Sequence, residues 1–418
     1  MFPVLLYSSE SLKIKPKVLA TRNMKLHIFN PENDLALADG GANYCPPPAA
    51  AQIAYDLASL PLWFAGEQGF VVLPDDVHRE YHEWVSSRFS VALPFDEEKK
   101  GSVTQCVPWG WSMQVKRRLR VMGFEDILPS DGSITAIREL SNRKVTIKIL
   151  SALREKGVDI PALPLYCTLP DEVAAFVNGR PRCVVKAPWS GSGKGIAWGI
   201  GRVETPMENF YKGIIKRQGG VVCEEFLNAR IEFAMEFFAD GKGVSFAGYS
   251  LFKSYKGSYS GNVLASDDDI EKFLSEYISL DLLLKVKEAL PCIMRSLLCD
   301  SGYVGYFGVD MMIYESDGEM RLNPCMELNL RMNMGMVARL FFDRFVADGC
   351  KGEYRVSFFK EKGEAYARHI ADSKAFALET DAGKITSGYL NLSPVTEENR
   401  YSVSVIIYKE KTVEDMYK

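Results

Sequence analysis

The sequence predicts a chain that is α/β at its N-terminal end and α+β beyond it: a small parallel-sheet domain followed by a larger part rich in antiparallel hairpins. Three observations carry this. Short apolar strands alternate with helical stretches between about residues 24 and 130, the order that builds a parallel sheet. Farther on, apolar runs come in pairs joined by tight-turn signals, Asp240-Gly241 and E-S-D-G at 315–318, the mark of hairpins. The length of 418 residues exceeds one ordinary domain and leaves room for two or three.

The elements follow in order. Leu26 to Phe29 reads as a strand, and Asn30 to Asp34 (N-P-E-N-D) as a polar loop after it. Pro46-Pro47-Pro48 introduces a helix over Ala49 to Ala58, because proline suits a helix's first turn. Phe70 to Leu73 is a second strand, and Val77 to Ser87 a helix. A strong amphipathic helix spans Arg143 to Lys156, with Val145, Ile149, Ala152 and Leu153 on one face. Cys183 to Lys186 and Val221 to Glu225 are strands, Ile231 to Ala239 and Val244 to Phe252 pair across the D-G turn, and Asp281 to Cys299 is a helix. Val304 to Tyr314 and Met320 to Leu328 form the next hairpin. A helix over Val337 to Phe345 and a last hairpin, Ile385 to Leu392 with Tyr401 to Tyr408, complete the chain.

Composition narrows the function. A chain 47% hydrophobic and 25% charged can bury a sizeable core. A net charge of -4 argues against a nucleic-acid binder, and no apolar run reaches the ~18 residues of a membrane span. The nine Cys are scattered without a C-x-x-C pair, which points to free thiols in a cytoplasmic protein. His78 and His82 lie four apart without H-E-x-x-H and read as surface residues. Residues 1–23 lack the features of a signal peptide; they read as a disordered upstream lead, with Met24 the expected start.

Two constellations carry chemistry. The first is V-V-K-A-P-W-S-G-S-G-K-G-I, Val184 to Ile196. A glycine-rich turn exposes backbone N–H groups that can cradle phosphate oxygens, and Lys194 adds charge. It is not a P-loop, since Pro188 takes the first glycine position and Gly195 follows Lys194 where Ser or Thr belongs. It is not a dinucleotide fingerprint, since Ile196 replaces the last glycine. The second is Asp310 in one strand with Glu327, Asn329 and Arg331 in the next. Period-two spacing puts the last three on one face, which a hairpin lets Asp310 join. Two carboxylates and an amide oxygen suit Mg²⁺, and the planar fork of Arg331 suits a phosphate oxygen. Acids set among Phe307, Val309, Met311 and Met326 cost energy unless paired or metal-bound.

In this order, over about residues 141–335, the two constellations resemble the ATP-grasp superfamily. The resemblance implies two α+β lobes closing on ATP behind an N-terminal domain. It divides the chain into a lead (1–23), an N-terminal α/β domain (24–135), a central lobe (136–220), a C-terminal lobe with the metal site (221–345) and an extension with a hairpin (346–418). By resemblance Lys148 and Lys186 hold nucleotide phosphates. The loop Ser190, Gly191, Ser192, Gly193, Lys194 and Gly195 covers the β- and γ-phosphates, with Lys194 acting in turnover. C-E-E-F-L is the hinge that reads adenine, through Glu224 and the backbone of Glu225, Phe226 and Leu227, and Glu232 holds the ribose. Asp310, Glu327 and Asn329 are the magnesium ligands, with Mn²⁺ as a substitute, and Arg331 touches the transferring phosphate. The sequence departs from the D-alanine ligases, which have an arginine where Gly308 stands.

The expected reaction activates a small-molecule or peptide carboxylate as an acyl phosphate and ligates it to an amine or other nucleophile. The alternatives are a kinase on the same fold and a nucleotide-binding regulatory protein without turnover. A homo-oligomer is compatible with all three. Candidates for the acceptor site are Asn30, Glu32, Asn33 and Asp34 at the carboxyl end of the first strand, and Trp109-Gly110-Trp111-Ser112.

Overall fold

The computed structural model describes residues 23–191, 195–255 and 258–418. The expected lead, apart from Asn23, lies outside the described residues, as do Ser192, Gly193 and Lys194. The N-terminal unit is a parallel sheet of β1 (Met24–Ile28), β2 (Gly69–Val71), β3 (Leu93–Pro94) and β4 (Val103–Pro108), in the order β3-β2-β1-β4. Two readings change here. The loop after β1 is shorter than expected, because a helix (Asn33–Asp39) starts inside it and buries Asn33, Ala36 and Leu37 on one face. His78 is buried rather than on the surface. Both ring nitrogens are satisfied, by Asp75 Oδ1 at 2.8 Å and the Tyr55 carbonyl at 2.9 Å, so its burial costs little.

The central lobe holds β5 (Leu165–Cys167), β6 (Cys183–Lys186), β7 (Ile196–Gly199) and β8 (Val221–Glu225), antiparallel in the order β5-β8-β6-β7. Strand alternation sends Cys183, Val185, Val221 and Cys223 into a core with the helices Pro170–Asn178 and Thr205–Gln218. It leaves Val184, Lys186, Trp198 and Glu224 on the opposite face. Only Phe226 and Leu227 separate β8 from the next strand.

The large lobe is an antiparallel sheet built from β9 (Asn228–Ala239), β10 (Val244–Tyr255), β11 (Ser258–Leu264), β12 (Gly305–Ser316), β13 (Glu319–Asn329), β14 (Lys351–Phe358), β15 (Glu379–Asp381), β16 (Lys384–Asn391) and β17 (Tyr401–Tyr408). Among the described residues it has nine strands in the order β13-β12-β9-β10-β11-β14-β17-β16-β15. Residues 346–418 therefore widen the sheet that carries the acidic cluster. Asp317 and Gly318 both take positive φ, 55° and 80°, as the tight turn between β12 and β13 requires. One face is apolar: Phe233, Met235, Phe237, Leu251, Phe307, Val309 and Met311 are fully buried against Leu283, Val286 and Leu290 of the helix Leu280–Leu298. The helix Val145–Glu155 adds Ile149, Leu150 and Leu153 to that core. The helix Met334–Phe345 joins Trp63 and Phe89 of the N-terminal unit to Val403, Val405 and Ile407 of β17. Among the described residues no helix is long and apolar enough to cross a membrane.

Candidate active site

The site begins with strand alternation. Because Val309 and Met311 face the apolar core, Asp310 must face the other way. Register then sets Asp310 opposite Glu327 on β13 and opposite Ala234 on β9, with Gly308 opposite Asn329 and Glu236. Glu232, Glu236, Asp310, Glu327 and Asn329 thus share one polar face. Burial, reinforced by the charge of Glu327, raises the Asp310 carboxyl to about 7, against a hydrogen bond from Asn329 and the charge of Arg331. Burial lifts Glu236 to about 8, although Asn333 Nδ2 donates to its Oε2 at 2.8 Å. A side chain at Gly308 would collide with that carboxylate: a Cβ there would stand 2.7 Å from Glu236 Oε2.

An unforeseen arginine ties this face to the glycine loop. Arg143 precedes the helix Val145–Glu155 and is buried. Its Nη2 donates to both oxygens of Glu327, at 2.7 and 2.9 Å, and to the Ser190 carbonyl at 3.0 Å. Its Nη1 donates to the Ala187 carbonyl at 2.7 Å and to Ser190 Oγ at 2.6 Å. The loop itself is the turn between β6 and β7, closed by the Ala187 N–H donating to the Gly195 carbonyl at 2.8 Å. Gly195 has φ +80°, and a Cβ there would meet Ser190 Oγ at 2.6 Å, so glycine is required on both counts.

On the exposed face of the central sheet Lys186 Nζ lies 2.6 Å from Glu224 Oε2, both largely buried. Trp198, 61% exposed on the same face, stands edge-on to Phe226 with ring centroids 5.8 Å apart. The Arg182 guanidinium covers the Phe226 ring at 3.4 Å. This gives the Glu224–Leu227 connector an aromatic surface. Glu225 is exposed and lies 3.5 Å from Arg180, and the Glu232 backbone N–H donates to the Tyr417 hydroxyl at 3.1 Å.

The N-terminal unit contributes the last piece. Arg331 Nε and Nη2 donate to the two carboxylate oxygens of Asp34 at 2.8 and 2.7 Å, a fork-on-fork pair. Arg331 also donates to Asn329 Oδ1 at 3.0 Å and to the Met332 carbonyl at 3.2 Å. Asp34, Ser190, Glu327, Asn329 and Arg331 line one cleft where the three units meet. Behind Asp34 the loop is anchored: Asn30 Nδ2 donates to the Gly110 carbonyl at 2.9 Å, and Asn30 Oδ1 accepts from the Gly110 N–H at 3.4 Å.

Of the predicted residues, the structure gathers Ser190, Gly191, Asp310, Glu327, Asn329 and Arg331 around this cleft, with Lys186 and Glu224 paired on the central sheet. It does not bring Lys148 there. Lys148 sits on the exposed side of its helix, since Val145, Ile149 and Leu153 turn the opposite side into the core, and it makes no hydrogen bond or ion pair with these groups. Sequence reasoning did not assign Arg143, Glu236 or Trp198. A signal existed for Glu236, an acid between Met235 and Phe237 in an apolar strand. Among the described residues no three His, Cys, Asp or Glu side chains form a metal cage. Two carboxylates and an amide, one acid raised by burial and then by its neighbour's charge, suit an open Mg²⁺ site that leaves positions for phosphate and water.

No protein-family model matches the sequence, and no curated protein matches it. Solved structures do. An N5-carboxyaminoimidazole synthetase from Staphylococcus aureus complexed with ADP superposes with a TM-score of 0.50 at 12% identity, over 94% of this chain and 94% of that one. An N5-carboxyaminoimidazole synthase from Aspergillus clavatus, in complex with ADP and 5-aminoimidazole ribonucleotide, matches at 0.48 and 12% identity, over 95% and 96%. The first likeness spans nearly the whole of both chains, and with the two lobes and the parallel sheet before them it establishes that this chain has the ATP-grasp fold.

Proposed function

We propose that this chain is a ligase that uses Mg-ATP to activate a carboxylate as an acyl phosphate and join it to an amine or another nucleophile. One observation carries the reading: Asp310, Glu327 and Asn329 share a sheet face, with Arg331 bonded to Asn329, and Arg143 ties that face to Ser190 at the start of the glycine loop. The Staphylococcus aureus neighbour, crystallised with ADP, supports a nucleotide in the cleft of this fold.

Each residue has a task. Lys186 and the backbone around Gly191 and Gly195 hold the phosphates, with Lys194 in the same loop. Glu224, the backbone of Glu225 to Leu227 and the exposed Trp198 take the adenine, and Glu232 the ribose hydroxyls. Asp310, Glu327 and Asn329 would hold Mg²⁺, which, when bound, neutralises phosphate charge. Arg331 touches the transferring phosphate, and its planar fork also suits the substrate carboxylate that receives it. The carboxylate oxygen forms the new P–O bond as the bond to ADP breaks. The nucleophile then attacks the acyl carbon, phosphate leaves with the electron pair of the C–O bond, and the amine's proton passes to solvent. The protein contributes position and preset charge. The substrates are small molecules or peptides, and nine free thiols suit the cytoplasm.

Calorimetry with a non-hydrolysable ATP analogue and Mg²⁺ tests the reading. Binding at micromolar to millimolar nucleotide is expected, and folded protein that binds none overturns it.

A further inference from the structure

Four of the five N–H donors of the Arg331 guanidinium are engaged, two of them by Asp34. Nη1 is held by the Met332 carbonyl and Nη2 by Asn329, both within two residues on its own segment. The remaining edge, Nε with Nη2, is taken by a carboxylate from a residue 297 positions away in another unit. Arg331 therefore cannot receive a substrate carboxylate on that edge until Asp34 lets go. The same geometry shows that the cleft accommodates a carboxylate at this spot, because Asp34 already places one there.

Release has a consequence for Asp34. Its side chain is only 20% exposed, and it abuts the glycine loop: a Cβ at Gly191 would lie 2.7 Å from Asp34 Oδ2. A carboxylate left there without a cation loses its partner in a partly dry site, which is costly. A substrate bearing only a carboxylate would satisfy Arg331 and strand Asp34. A substrate bearing a carboxylate and a nearby ammonium would satisfy both.

Resting on the ligase reading above, we infer that the carboxylate substrate is an amino acid, whose carboxylate replaces Asp34 on Arg331 while its ammonium group takes the freed Asp34. Charge in the cleft is then the same before and after binding. Asp34 becomes a specificity-determining residue: it tells an amino acid from the same acid without its amine.

The test uses the full chain with Mg²⁺ and a non-hydrolysable ATP analogue. The standard amino acids are screened at millimolar concentration by thermal shift, each against its deaminated acid and its carboxamide. At least one amino acid should bind, with both matched analogues weaker by about tenfold or more, the loss expected when a hydrogen bond to a charged group goes unmade. In Asp34→Asn the ratio of amino acid to deaminated acid should fall towards one. Equal binding of the deaminated acid by the parent, an unchanged ratio in the variant, or no amino acid bound by protein that binds nucleotide would each overturn the inference and leave the ligase reading standing. Absence of nucleotide binding would remove both. The comparison within the parent holds even if the variant does not fold.

Discussion

The acids of the site and its surroundings fall into two groups held in opposite ways. Glu327, Asp34 and Glu224 each face a cation at 2.6–2.9 Å: Arg143, Arg331 and Lys186. Asp310 and Glu236 lie on the neighbouring strands β12 and β9, and among the described residues they form no ion pair; Glu236 is also almost fully buried. The first group is neutralised by cations already in place. The second keeps its protons near neutrality, so its negative charge awaits a positive partner. The difference teaches that one site can hold both paired and unpaired acids, depending on which strand an acid occupies.

The largest effect should come from breaking a pair. Glu327→Gln should lower turnover about 10²–10³-fold, the usual cost of losing one preorganised charge contact. Because Arg143 is buried against Glu327, the variant should also lose about 1–3 kcal/mol of stability. Turnover once a substrate is known, together with thermal melting, checks both halves. A parent-like melt would place Glu327 among the unpaired acids instead.

A smaller loss should follow Lys186→Ala. Nucleotide affinity by calorimetry should weaken about tenfold or more, since a charged hydrogen bond to phosphate goes unmade. Affinity equal to the parent's would mean the Lys186–Glu224 pair serves the sheet alone.

The smallest effect has the opposite sign. The folded chain retains the Glu236 proton up to about pH 8, whereas the unfolded chain loses it near 4.5. The unfolded state therefore binds fewer protons across that window, and stability falls as pH rises through it. Glu236→Gln removes this term. Without Mg²⁺, its melting temperature should fall less than the parent's between about pH 5 and about pH 9, by roughly 2–4 °C. Parallel pH curves would show that Glu236 stays charged and is compensated by groups other than Asn333.

Much of this architecture could be read from alternation alone. Phe307, Val309 and Met311 against Asp310, and Glu327 against Asn329 and Arg331, declare a strand with one wet face, and Asp317-Gly318 declares the turn between them. What could not be read are partnerships across long separations. Arg143 stands at the start of an amphipathic helix, and nothing nearby says that its guanidinium crosses 184 residues to Glu327. Lys148 fits the motif spacing, yet helical phase turns it to solvent. Asp34 reads as a loop residue, but its bond to Arg331 needs two units to meet across 297 residues. Local periodicity decides which way a side chain points; tertiary assembly decides what it meets there.

The carboxylate of Asp56 has no exposure to solvent and is satisfied almost wholly by the far end of the chain. It accepts from Asn399 Nδ2 at 2.8 Å and from the Arg400 and Tyr401 N–H groups at 2.9 Å, and one neighbouring side chain, Gln52, adds a bond of 2.8 Å. The Trp63 indole N–H likewise donates to the Leu392 carbonyl at 3.0 Å. During synthesis residues 24–108 leave the ribosome long before these partners exist. At a typical ~5–20 residues per second, the 343 residues of translation that separate Asp56 from Asn399 amount to a wait of tens of seconds. The first sheet to emerge is thus among the last parts to become fully stable, and a chain arrested before β17 would present an incomplete N-terminal unit to chaperones and proteases.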